Sequence, residues 1–103
     1  MTTGAQTAIQ AKIIVEMIAE RKRQQTKHGS VRMKLPLYEW NLVLGEEFGE
    51  VSKAILDNDI ANYRIELIQV AAVAMAALED LDARVLEVKE AQHALSLRKD
   101  SKN

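Results

Sequence analysis

Residues 60–97 read IANYRIELIQVAAVAMAALEDLDARVLEVKEAQHALSL, a stretch with neither glycine nor proline. Nothing in it breaks a helix, and its apolar residues nowhere alternate with period two, so it favours helix over strand. The segment is expected to form a third helix from Ile60 to about Asp82, then a fourth helix, or a continuation of the third, to about Leu97. No residue signals the boundary between them. Its most apolar part, Leu67 to Leu78, is interrupted only by Gln69. That run is well short of the roughly 20 residues a membrane span needs, and it reads as a buried helix.

Working outward, Asp57-Asn58-Asp59 closes a second helix that starts near Leu37 and runs to Leu56. Lys27 to Leu37 holds Gly29, Ser30 and the only proline, Pro36, and reads as the one substantial loop. Before it, Thr2 and Thr3 are suitable N-caps for a first helix from about Ala5 to Gln25. Ile9, Ile13, Val15, Met17 and Ile18 supply its apolar positions, and its end, Glu20 to Gln25, is polar all round. Residues 98–103 form a small, charged tail, expected to be disordered. The expected fold is therefore all-α, a bundle of about four helices in one domain spanning 1–97. A chain of 103 residues has a limited core of its own, so the bundle is expected to share it with further copies.

Fifteen acidic residues against fourteen Lys plus Arg leave a formal charge of −1. That balance marks neither a general nucleic-acid binder nor a membrane-surface binder. The absence of cysteine excludes disulfide, zinc-thiolate and thiol chemistry and fits a reducing cytoplasm. Met1 to Ala8 lacks the basic start and apolar block of a secretory signal. Specific sites must carry the function.

Glu46-Glu47-Phe48-Gly49-Glu50 places three carboxylates within one helical stretch, and Glu66 follows at the start of the next apolar helix. At about 100° per residue, Trp40, Leu44, Phe48, Val51 and Ile55 share one stripe; Glu46, Glu50, Lys53 and Asp57 share its neighbour, with Glu47 at the seam. Glu66 shares an inward face with Val70, Val73 and Ala77, and Gln69 lies one turn on. Like charges held this close destabilise a helix unless a cation neutralises them. A hard divalent ion, Mg2+ or Mn2+, suits an oxygen donor set drawn from two helices. The plain alternative is a solvated acidic face on which Glu50 and Lys53 form a weak surface pair. Glu66 inside an apolar segment weighs against it, because an unpaired carboxylate there is costly.

Glu46 to Ala54, followed by Glu66-Leu67-Ile68-Gln69-Val70, resembles the MazG-like all-α nucleoside triphosphate pyrophosphohydrolases, whose signature is EExxE with ExxD a dozen or more residues on. The run from Glu20 through Gln24 and Lys27-His28-Gly29 is similar to that group's small phage-type branch. The likeness covers about Glu20 to Leu81. It implies Mg2+-dependent hydrolysis of a nucleoside triphosphate, usually a deoxynucleotide, to monophosphate and pyrophosphate, with Mn2+ as a substitute and two or more ions per site. It also implies a homodimer or homotetramer in the cytoplasm, that of the host if the chain is phage-encoded. Carried over, Glu47, Glu50 and Glu66 are metal ligands, Glu46 binds a further metal or orients the attacking water, and Lys53 meets phosphate. Gln69 stands where the pattern has aspartate. Its amide oxygen can still coordinate Mg2+, but it adds no charge.

Arg21, Lys27 and Arg64 are further candidates for the phosphate clamp, and Trp40 and His28 for contact with the base. For Trp40 the helical phase favours core packing. A non-catalytic helical interaction or regulatory protein with a degenerate metal site is the main alternative, because of Gln69. Glu90-Ala-Gln-His93 also has the ExxH spacing of di-iron bundles. It lacks a partner glutamate at matching depth in an apolar stretch.

Overall fold

The computed structural model describes residues 3–28 and 35–101, and all of its regular structure is helical. Three helices follow in order: α1 Gly4–His28, α2 Leu37–Leu56 and α3 Ile60–Ser101. The bounds of α2 are those expected from sequence. α1 runs past Gln25, so Lys27 and His28 belong to its last turn; Thr2 and residues 29–34 of the expected loop lie outside the described residues. The Thr3 hydroxyl caps α1 by accepting the Gln6 amide at 3.0 Å.

A fourth helix does not exist among the described residues. Without a helix breaker after Ile60, α3 continues without interruption through Asp82 and Leu97, and residues 98–101 of the expected tail are part of it. Between α2 and α3, Asn58 adopts φ 54°, a left-handed conformation that asparagine tolerates better than most side chains. Asp59 then caps α3, its Oδ1 accepting the Asn62 amide at 3.1 Å.

α3 is the central element. Both α1 and α2 pack on it and not on each other. α2 and α3 form an antiparallel hairpin, with Trp40 beside Val73 and Ala76. The buried apolar set is small: Trp40, Val51, Ala54, Ala72, Val73 and Ala76. Alanines on α3 keep the helix narrow where it is flanked on two sides, and interaxial distance follows the size of the side chains at the contact.

One expectation about helix faces is overturned. On α2, Phe48 and Ile55 are exposed rather than core. The buried stripe is Trp40, Val43, Leu44, Glu47, Val51 and Ala54, which follows alternating three- and four-residue steps. Glu47 therefore sits in the middle of the stripe, not at its edge. On α1, Ile9, Val15 and Ile18 are exposed, whereas Ile13, Glu16, Met17, Glu20, Arg21 and Gln24 face α3. The end of α1, polar all round as read, is attached to α3 through those polar side chains, Arg21 to Glu79 and Gln24 to the Gln69 carbonyl. The radius of gyration, 19.0 Å, exceeds the roughly 13 Å of a compact chain of this length, because the last turns of α3 extend past the other helices.

Candidate functional site

The α2–α3 hairpin brings Glu47 and Glu66 together, with Gln69 between them. With its amide turned so that Nε2 faces the carboxylates, Gln69 donates to Glu66 Oε2 at 2.9 Å and to Glu47 Oε2 at 3.2 Å. Turned the other way, the same position carries Oε1, and three oxygens then converge at those distances. Burial pushes the Glu47 carboxyl above the usual range, and the neighbouring charges of Glu66, Glu50, Glu20 and Glu46 push it further the same way. Glu47 is thus the hub of a carboxylate cluster drawn from all three helices.

Glu20, on α1, is the member that sequence reasoning missed. Its carboxylate is held by a fork from Arg23, Nε to Oε1 at 2.8 Å and Nη2 to Oε2 at 2.6 Å. That pair, with a weaker contribution from Lys27, outweighs partial burial and holds the Glu20 carboxyl below its ordinary range. The partner Arg23 is held above its own, chiefly by Glu20, with Glu47 adding to it. Gln24, one turn beyond Glu20, donates to the Gln69 carbonyl at 3.4 Å and ties α1 to the cluster. The sequence signal was available: Glu20 and Gln24 are four apart and so share a face.

The other site residues divide. Glu46, Glu50 and Lys53 are exposed at the rim of the cluster. Arg64 forms a 2.6 Å ion pair with Glu16. Together with Ala19, Glu20, Arg23, Ile65 and Ile68 these two line an open cleft beside the cluster, between α1 and α3. Arg21 does not face the cleft. It is buried and donates to Glu79 Oε2 at 2.8 Å, which corrects its assignment as a phosphate ligand.

Trp40 is likewise removed from the base-contacting set. It is 7% exposed and its Nε1 donates to Asp80 Oδ2 at 2.7 Å. The core phase noted in the sequence prevails. Lys27 is exposed near Glu20, and the His28 side chain lies outside the described residues. Glu90 and His93 are exposed on the free part of α3, remote in sequence from every carboxylate of the cluster.

Among the described residues, no group of three His, Cys, Asp or Glu side chains is already gathered around a single point. The donor set nonetheless fits a hard cation. Its atoms are all oxygens once Gln69 presents Oε1, and the burial and like-charge repulsion acting on Glu47 are what a divalent charge relieves. No family model, no characterised protein and no solved structure matches the chain significantly. No helix among the described residues is long and apolar enough to cross a membrane.

Proposed function

We propose that the protein is a metal-dependent nucleoside triphosphate pyrophosphohydrolase, acting on the α–β phosphoanhydride as a homo-oligomer. The observation that carries the reading is the convergence of Glu47, Glu66 and Gln69 beside a cleft bearing two arginines. The resemblance of the EExxE and ExxQ segments to the MazG-like group points the same way. Glu47 and Glu66 would hold a divalent ion with Gln69 Oε1, and Glu50 would complete the set from the rim. When bound, the ion lowers the pKa of coordinated water and neutralises phosphate charge.

The chain's own part is positioning. Arg23 and Arg64 exchange their partner carboxylates for phosphate oxygens, to which a guanidinium fork is matched. Ile65 and Ile68 give the cleft an apolar wall. Glu46 orients the attacking water, whose oxygen bonds to the α-phosphorus as the bridge to the β-phosphorus breaks. Pyrophosphate departs and the water's proton passes to a rim carboxylate and on to solvent. Nucleotide-pool control and house-cleaning both fit this chemistry.

The test is a panel of common deoxyribo- and ribonucleoside triphosphates with Mg2+ or Mn2+, scored for monophosphate and pyrophosphate. Stoichiometric release of both supports the reading; no release with any of them overturns it. Gln69 also favours a second reading, a non-catalytic interaction protein. Its amide can satisfy both carboxylates without an ion, as an ordinary structural hydrogen bond would. Under that reading the same panel is silent and Mg2+ leaves the melting temperature unchanged.

A further inference from the structure

Beyond the carboxylate cluster, α3 carries a feature the catalytic reading does not use. Leu78, Leu81, Val85, Val88, Gln92 and Leu95 recur at steps of three, four, three, four and three, the a and d pattern of a coiled-coil seam. Every apolar member of this row is exposed. The chain exposes 7986 Å², against about 5,800 Å² for a compact folded monomer of its mass. The excess, on the order of 2,000 Å², is that of the whole chain, of which this row is one part, and surface of that size is what obligate dimers bury.

We infer that this seam pairs antiparallel with the same seam of a second copy. Charge selects both the partner and the direction. With Val85 at an a position, Asp82 and Lys89 fall at e, and Arg84 falls at g. A parallel pair would bring no opposite charges together: Asp82 would meet the partner's Ala77, and Lys89 would meet the partner's Arg84, a like charge already committed to Asp80. An antiparallel pair sets Asp82 against the partner's Lys89, and by two-fold symmetry does so twice. In the same register Val85 meets the partner's Val88, Leu81 meets the partner's Gln92, and Leu78 meets the partner's Leu95. Apolar contacts thus occupy the centre and both ends. The helix is already formed by the fold, so so short a seam carries no nucleation cost of its own. The pairing lays the free half of each α3 alongside the helix pair of the other copy. It supplies a surface for the homo-oligomer of the hydrolase reading but is argued from α3 alone, and it is tested by association and crosslinking whereas that reading is tested by turnover.

The full chain contains no cysteine, so engineered thiols report cleanly. Light scattering coupled to size exclusion should give an even-numbered oligomer for the natural chain. The Val85→Glu, Val88→Glu double variant should halve that mass with helical circular dichroism unchanged. Asp82→Lys and Lys89→Asp should each weaken association by about tenfold, and their combination should restore it. Mixing Leu81→Cys with Gln92→Cys under oxidation should give mainly the mixed disulfide. A monomeric natural chain, an unchanged mass in the double glutamate variant, failure of the charge swap to restore association, or preferential Leu81→Cys self-crosslinking would each overturn the inference.

Discussion

Two polar clusters interrupt the same apolar seam between α2 and α3, and they are built on opposite principles. At one end Asp80, 2% exposed, accepts from Trp40 Nε1 at 2.7 Å and from Arg84 Nη2 at 2.9 Å. Arg84 in turn donates to the Leu35 carbonyl. Two turns away along α2, Glu47 is surrounded by other carboxylates and by one neutral amide. The first cluster is a buried charge with its counter-charge and hydrogen bonds supplied, and such a group holds structure together. The second is a set of like charges with partial compensation: Arg23 is committed to Glu20 at its edge, and burial and the neighbouring carboxylates still push the Glu47 carboxyl up. Asp80 is thus fully satisfied within the chain, whereas the carboxylates around Glu47 are only partly so, and that difference is what the proposed metal-binding role draws on.

The comparison can be broken most decisively by turnover. Glu66→Gln and Glu50→Gln should each lower pyrophosphate release by at least about a hundredfold, with circular dichroism and melting behaviour retained. Full activity in either would place the chemistry elsewhere. At the opposite cluster, Asp80→Ala should leave Arg84 and Trp40 without their acceptor and cost about 3 kcal/mol in urea unfolding. A loss below about 1 kcal/mol would make the two clusters equivalent after all.

Gln69→Asp sharpens the contrast. It adds a fourth negative charge to Glu47, Glu66 and Glu50 and should tighten Mg2+ binding several-fold by calorimetry, while lowering the melting temperature of the metal-free protein. Unchanged affinity would identify Gln69 as a purely structural donor. The smallest effect is expected at Glu47 itself. Its carboxyl titrates above its unfolded value, so the folded state binds that proton more tightly. The stabilising contribution is complete below the unfolded value and is lost as pH rises through the folded one. Glu47→Gln should therefore raise the metal-free melting temperature by a few degrees at pH 7. That gain should shrink as the pH falls below about 4.5, and an equal gain at both pH values would remove electrostatic repulsion as its cause.

Much of this architecture was legible in local signals. Leu37–Leu56 was bounded by Pro36 and by Asp57-Asn58-Asp59, and the carboxylates of interest were visible as a spacing. What local signals missed was phase. Trp40, Leu44 and Phe48 are four apart, and each such step drifts by about 40°, so a row begun at Trp40 leaves the core by Phe48. Glu47, seven residues from Trp40, returns to within about 20° of it. Of the two outcomes the sequence left open beyond Asp82, a fourth helix or a continuation, the continuation is observed, because a long helix without a breaker has no local cause to stop.

By itself the chain's sequence determined that it is helical, where α2 begins and ends, and that acidic side chains recur at helical spacing on α2 and at the start of α3. Only the tertiary structure decided that Glu20 joins them from α1, that Glu47 stands at their centre, and that Arg21 and Trp40 are committed to Glu79 and Asp80. The physical reason is that helix formation is set by neighbours within a few residues. Which face turns inward is set by the summed packing and pairing of residues tens of positions apart, and no short window of sequence contains that sum.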